Sequence, residues 1–181
     1  MLHCAAMASA TDATSPFTIE AAGADDIGVI QALADAIWRR HYPGIISNAQ
    51  IDYMLARGYS REALSHFLSE ADAGLALAKR DGVAAGFVAW HPKDRATMKL
   101  EKLYVMPESH GRGIGRALIE HVIACARAGR FARVALNVNR ENAGAIRAYE
   151  RCGFAIRERG DFPIGNGFVM EDFIMVRDIG P

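Results

Sequence analysis

A strand, a glycine-rich loop, a helix and a second strand follow one another without spacers in the middle of this chain, and this run restricts the fold most. The strand is "ATMKLEKLYVMP", ended by Pro107. The loop "ESHGRGIGR" places Gly111, Gly113 and Gly115 within five positions. From about Ile114 to Ala128 the residues Ile114, Leu118, Val122 and Cys125 fall on one face of a predicted helix, closed by Gly129. "ARVALNVN" then reads as a strand. A helix between two strands of one sheet returns the chain in parallel, as a right-handed crossover.

The flanking segments extend this unit. "FTIEAA" alternates as a short first strand, and Ile27, Ile30, Leu33, Ala34 and Ile37 form the stripe of an amphipathic helix ended by Pro43-Gly44. Two more helices are predicted, one opening at Ser47 or Asn48 and one at Ser60. "GLALAKR" and "VAAGFVAW" read as strands joined by a two-residue turn at Asp81-Gly82. Asn142 heads a helix that stops at Gly153, and "FAIRERG" and "GFVMEDFIMV" are two last strands joined by a loop, Asp161–Gly167. The order is one strand, three helices, three strands, helix, strand, helix, two strands. It predicts an α/β (α+β) domain on one mixed sheet. With 181 residues, one domain is expected over 17–179, after a disordered extension over 1–16.

Composition narrows the function. The 21 basic and 21 acidic residues cancel, which argues against a dedicated nucleic-acid binder. No apolar run approaches the ~18–20 residues needed to span a bilayer, and the start lacks the pattern of a secretory signal. Cys4, Cys125 and Cys152 are odd in number with no C-x-x-C pair, so a reducing, cytoplasmic setting is expected, without disulfides or structural zinc. His66, His91 and His121 show no metal-ligand spacing, and no metal is expected.

The glycines have a chemical use. A helix start leaves N–H groups unpaired and carries partial positive charge, so an anion placed there satisfies both. Glycine lets the backbone approach the anion without a Cβ, and Arg112 and Arg116 add full charges suited to phosphate oxygens. The run is neither a Rossmann fingerprint, since Arg116 stands where the last glycine is needed, nor a Walker loop.

The motif His110-Gly111-Arg112-Gly113-Ile114-Gly115 resembles the Q/R-x-x-G-x-G/A cradle of the GNAT superfamily of acyl-CoA-dependent N-acetyltransferases, with His110 in place of the usual Gln or Arg. "LEKLYVMP" is similar to the strand that precedes it in that family, and "NRENAGAIRAYERCGF" to its second signature. The resemblance covers roughly 75–176 and implies a GNAT-like central sheet of six to seven strands with a splayed parallel pair, flanked by about five helices. It implies acetyl-CoA as co-substrate and an acetyl transfer to a primary amine by direct attack in a ternary complex. Leu103, Tyr104 and Val105 would offer backbone groups to the pantetheine, the Val105 N–H being the candidate donor to the thioester carbonyl. His110 to Arg116 would cradle the diphosphate, with Asn137 and Asn142 beside it. Asn142 serves equally well as a helix cap alone. Tyr149 is the candidate general acid for the departing thiolate, against a plain packing role. Glu101 is the candidate base, against a solvated carboxylate or a partner of Lys99 or Lys102; alternation would put it on one face with Leu103 and Val105.

The first helices and the last hairpin would form the acceptor pocket. Trp38, His41 and Tyr42 are candidates to surround a cationic amine, with Asp161, Glu171 and Asp172 supplying negative charge; the alternatives are core packing and solvated hairpin residues. A small amine or polyamine is the favoured acceptor. A protein N-terminus is the alternative, although that subgroup usually carries Glu where this chain has Asn137. A non-catalytic acyl-CoA sensor is the reading from another class. No nucleic-acid or membrane partner is expected; a homodimer through sheet edges or terminal hairpins is an assembly the resemblance allows.

Overall fold

The computed structural model describes residues 16–180, so the expectation of a disordered extension lies, all but Pro16, outside the described residues. Seven strands form one sheet in the order β1-β2-β3-β4-β5-β7-β6. In chain order they are β1 (Thr18–Ala21), β2 (Gly74–Arg80), β3 (Val83–Pro92), β4 (Thr97–Val105), β5 (Arg133–Asn139), β6 (Ala155–Gly165) and β7 (Phe168–Asp178). The helices are α1 (Ile27–His41), α2 (Asn48–Gly58), α3 (Arg61–Ser69), α4 (Ile114–Ala128) and α5 (Ala143–Arg151). This is the predicted order of elements and a mixed α/β sheet of the predicted kind.

Alternation along the strands builds two cores. On β2 and β3, Ala76, Ala78, Val88 and Trp90 join Leu118, Val122 and Tyr149 in a cluster under α4 and α5. Leu75, Leu77, Phe87 and Ala89 point the other way and pack with Ile30, Ile51 and Leu64 of α1, α2 and α3. The turn between β2 and β3 puts Asp81 and Gly82 at φ +52° and +79°, the conformation for which that dipeptide is suited.

Two features of β4 make the site. First, β4 and β5 pair in parallel only from Thr97–Arg133 to Lys99–Ala135, while β3 pairs along β4 and β7 along all of β5. Beyond Lys99 and Ala135 the two strands part, which opens a gap inside the sheet. Second, β4 pairs Lys102 with Ala89 but Leu100 with Trp90, so Glu101 is the extra residue of a β-bulge. Met98 and Leu100 face α4 before the bulge, and Leu103 and Val105 face it after. The bulge overturns the simple alternation: Glu101 lies on the opposite face from Leu103 and Val105, with Lys102 and Tyr104.

The last hairpin also differs from its sequence reading. Asp161–Gly165 is not loop but the end of β6, paired from Asp161–Glu171 to Gly165–Phe168. Pro163 is tolerated because β6 is the edge strand and a register shift falls beside it. The turn itself is Asn166-Gly167, both at positive φ.

Candidate active site

The loop between β4 and α4 begins with a short 3-10 turn, Pro107–Ser109. Gly111 and Gly113 follow at φ +72° and +83°, where an L side chain is strained, and a Cβ built on either would project into open space. Helices α2, α3 and α5 each start with a side chain, Ser47, Ser60 or Asn142, that accepts from a first-turn N–H. Helix α4 starts at Gly113 with no such cap, so its first amides are left for another acceptor. The loop is anchored at two points in its first half. Arg40 at the end of α1 pairs with Glu108. The His110 Nε2 lies 2.9 Å from the Val105 carbonyl oxygen. His110 therefore ties the loop to the end of β4, a role that its substitution for Gln or Arg left open.

These elements line a cavity of ≈ 960 Å³ that runs from α1 and α2 through the gap between β4 and β5 to α4 and α5. Of the residues expected to meet the cofactor, Leu103, Tyr104, Val105, His110, Gly111, Gly113, Ile114, Gly115, Arg116, Asn137, Asn142 and Tyr149 line it. Arg112 is exposed and does not. The Met106 N–H donates to Ala85 on β3 at 2.8 Å. Successive N–H groups of a strand point to opposite edges, so the Val105 N–H is directed at the gap. The open positive-φ glycines, the uncapped amides and Arg116 fit a diphosphate, and the gap fits an extended pantetheine.

Tyr149 on α5 is buried, at 8% exposure, against Phe154 at 5.9 Å between ring centroids. Burial, then Tyr42 and Cys152, push its phenol well above the usual range, so it stays protonated. Asn142 caps α5, its Oδ1 accepting from the Ala145 N–H at 3.2 Å. Burial, ahead of the opposing influence of Asn142, holds the His41 imidazole below its ordinary value and favours its neutral form.

Several placements correct the sequence reading. Trp38 and Tyr42 are not an open cage: they are 3% and 7% exposed, with their ring centroids 4.4 Å apart and the planes tilted by 36°. The Trp38 Nε1–H donates to the Tyr59 hydroxyl at 3.2 Å, and the Tyr42 and Tyr104 hydroxyls lie 3.4 Å apart. They form the back wall of the cavity. Asp161 lies outside it, exposed and paired with Arg140 at 2.5 Å; Glu171 shares that arginine at 3.4 Å. Arg140 is thereby taken up at the rim. Asn137 faces away from α4: its Oδ1 accepts from Lys99 and its Nδ2 donates to Asp172 Oδ2 at 3.4 Å. Glu101 lies 3.6 Å from His91 Nε2. Burial tends to raise its pKa, but the His91 bond and the charges of Lys102 and Lys99 prevail and hold it below the usual carboxylate range.

Sequence reasoning missed Lys99, Lys102, Tyr59 and Asn139, all of which line the cavity. The Lys102 Nζ sits over the Tyr59 and Phe67 rings at 4.6 and 5.5 Å from their centroids. The missed signal is in "LEKL": apolar residues spaced by three inside a strand mark a bulge, which turns Glu101 and Lys102 to the same side.

Residues 31–154 match the model of the acetyltransferase (GNAT) family. An uncharacterized N-acetyltransferase of Mycobacterium tuberculosis is 28% identical over 154 residues, which is 85% of this chain and 98% of that protein. The peptidyl-lysine N-acetyltransferase YjaB of Salmonella typhimurium is 30% identical over 129 residues, 70% of this chain and 77% of YjaB. Among solved structures, the PaiA N-acetyltransferase of Thermoplasma acidophilum in complex with coenzyme A superposes with a TM-score of 0.77 at 23% identity, covering 90% of this chain and 98% of PaiA, which shows the shared fold.

Proposed function

The chain belongs to the acetyltransferase (GNAT) family, and from that premise we propose that it transfers an acetyl group from acetyl-CoA to the primary amine of a small molecule by direct attack in a ternary complex. One observation carries this reading. The uncapped start of α4 and the buried Tyr149 open on the same cavity, at the gap where β4 and β5 part.

Acetyl-CoA supplies the activated acetyl group. In the proposed mechanism Gly111 to Arg116 hold its diphosphate, Asn142 keeps α5 in place, and Leu103, Tyr104 and Val105 line the pantetheine. The Val105 N–H donates to the thioester oxygen and stabilises the charge that develops there. Tyr149, held protonated, supplies the proton for the departing thiolate. The acceptor enters from the α1–α3 side, past His41 and over Asp172.

Asp172, a buried carboxyl that lines the cavity, supports a cationic amine. Lys99 and Lys102 line the same cavity and repel a chain of several cations, which favours a small amine over a polyamine. Acetylation of a lysine side chain on a protein is a second reading, favoured by the likeness to YjaB. Release of free thiol from acetyl-CoA, measured with tryptamine, spermidine, glycinamide and a lysine peptide, tests the proposal. Faster release with tryptamine than with spermidine or the peptide supports it. CoA binding without thiol release with any of the four supports the sensor and overturns it.

A further inference from the structure

Resting on the transfer reading, we infer that Asp172 binds the acceptor's ammonium group and takes its proton, the part that the family resemblance gives to Glu101. Asp172 is 6% exposed and lines the cavity. One carboxylate oxygen accepts from Asn137 Nδ2 at 3.4 Å. The other, Oδ1, is buried with no hydrogen-bond partner among the described residues. A buried acceptor left unpaired is unfavourable, and a donor brought by the substrate relieves it. Among the described residues no cationic side chain forms an ion pair with Asp172; Lys99 donates to Asn137, and Arg140 pairs with Asp161 and Glu171.

The position suits the reaction. Asp172 pairs with Asn139, four residues beyond the last rung that joins β5 to β4. Leu103 is four residues beyond that rung on β4. Asp172 therefore faces the gap from the β5–β7 side, opposite the Leu103–Val105 stretch proposed to hold the thioester.

Glu101 is less suited. It already meets His91, and Lys99 and Lys102 flank it, so it holds a proton weakly. The groups that face Asp172 are Lys99 from β4, Asn137 from β5, Arg140 just past β5 and Tyr42 from the end of α1. Burial raises the Asp172 carboxyl above its ordinary value, ahead of the lowering by Asn137, Lys99 and Arg140. A base with a raised pKa takes more readily the proton of an amine near ~10.

The step balances. The ammonium gives one proton to Asp172. The neutral nitrogen forms the C–N bond as the C–S bond breaks. The thiolate takes the Tyr149 proton, and the second nitrogen proton replaces it on Tyr149. Asp172 returns its proton to solvent when the products leave.

The test is the pH profile of kcat/KM for wild type, Asp172→Asn, Glu101→Gln and Asn137→Ala with the amines of the panel above. Asp172→Asn is expected to lose the acidic limb and to fall roughly 100-fold or more with tryptamine. The loss is smaller with glycinamide, whose α-amine near ~8 is easier to deprotonate. Glu101→Gln keeps the limb. Asn137→Ala removes a bond that favours the ionised Asp172 and moves the limb to higher pH, a readout that does not depend on how well Asp172→Asn folds. A limb retained in Asp172→Asn, lost in Glu101→Gln or unmoved in Asn137→Ala overturns the inference while transfer stands. Absence of thiol release from wild type with every amine overturns the transfer reading itself.

Discussion

Tyr149 and Asp172 owe their proposed roles to burial, which acts in the same direction on both: it disfavours the charged form. For Tyr149 this keeps a proton available to a leaving thiolate. Tyr149→Phe is expected to lower turnover about 100-fold and leave CoA affinity little changed, as read by thiol release at saturating substrate and by calorimetry. For Asp172 burial has a cost to folding. Its folded pKa is raised, so the protonated form favours the fold. That stability is fully present below the unfolded value of about 3.9 and is lost as pH rises through the folded value. At pH 7 the ionised carboxylate therefore destabilises the protein, and Asp172→Asn should raise Tm by roughly 2–4 °C, the shift that about 1 kcal/mol gives in a domain of this size. The two thermal curves should converge below about pH 4. Equal Tm at pH 7 would contradict the strain assigned to Asp172.

Loop and strand set these residues in place. The β4–α4 loop was legible from "HGRGIGR", because positive-φ glycines and an uncapped helix are local properties written in adjacent residues. Gly113→Ala tests it: at φ +83° an Ala costs about 1–2 kcal/mol, and its methyl projects into the open space before the α4 amides. CoA affinity should drop tenfold or more in a titration, with a loss in Tm of only a few degrees. The bulge at Glu101 was visible only as a break in spacing, and its consequence was not. One extra residue turns Lys102 and Tyr104 toward α1–α3 and Leu103 and Val105 toward α4. The hairpin Asp161–Gly167 was read as loop because Pro and Gly are breakers in isolation; an edge strand tolerates them.

Over the whole molecule, two cores pack on a sheet whose central strands β4 and β5 part beyond Lys99 and Ala135. CoA at about 100 times its Kd should stabilise the fold by about 2.7 kcal/mol and raise Tm by roughly 5–11 °C. No shift would mean that the gap holds nothing. The order of strands and helices, the crossover between β4 and β5 and the glycine-rich loop were determined by sequence alone, since periodicity, caps and turn residues act over a few positions. Which side chains share the cavity was decided only by the tertiary structure. Trp38 reads as a cage residue until α1 packs it against Tyr42 and Tyr104. Asp161 and Asp172 read alike until the hairpin sends one to solvent with Arg140 and the other beneath the gap. The physical reason is that desolvation and charge pairing depend on neighbours far along the chain, and strand pairing brings those neighbours together.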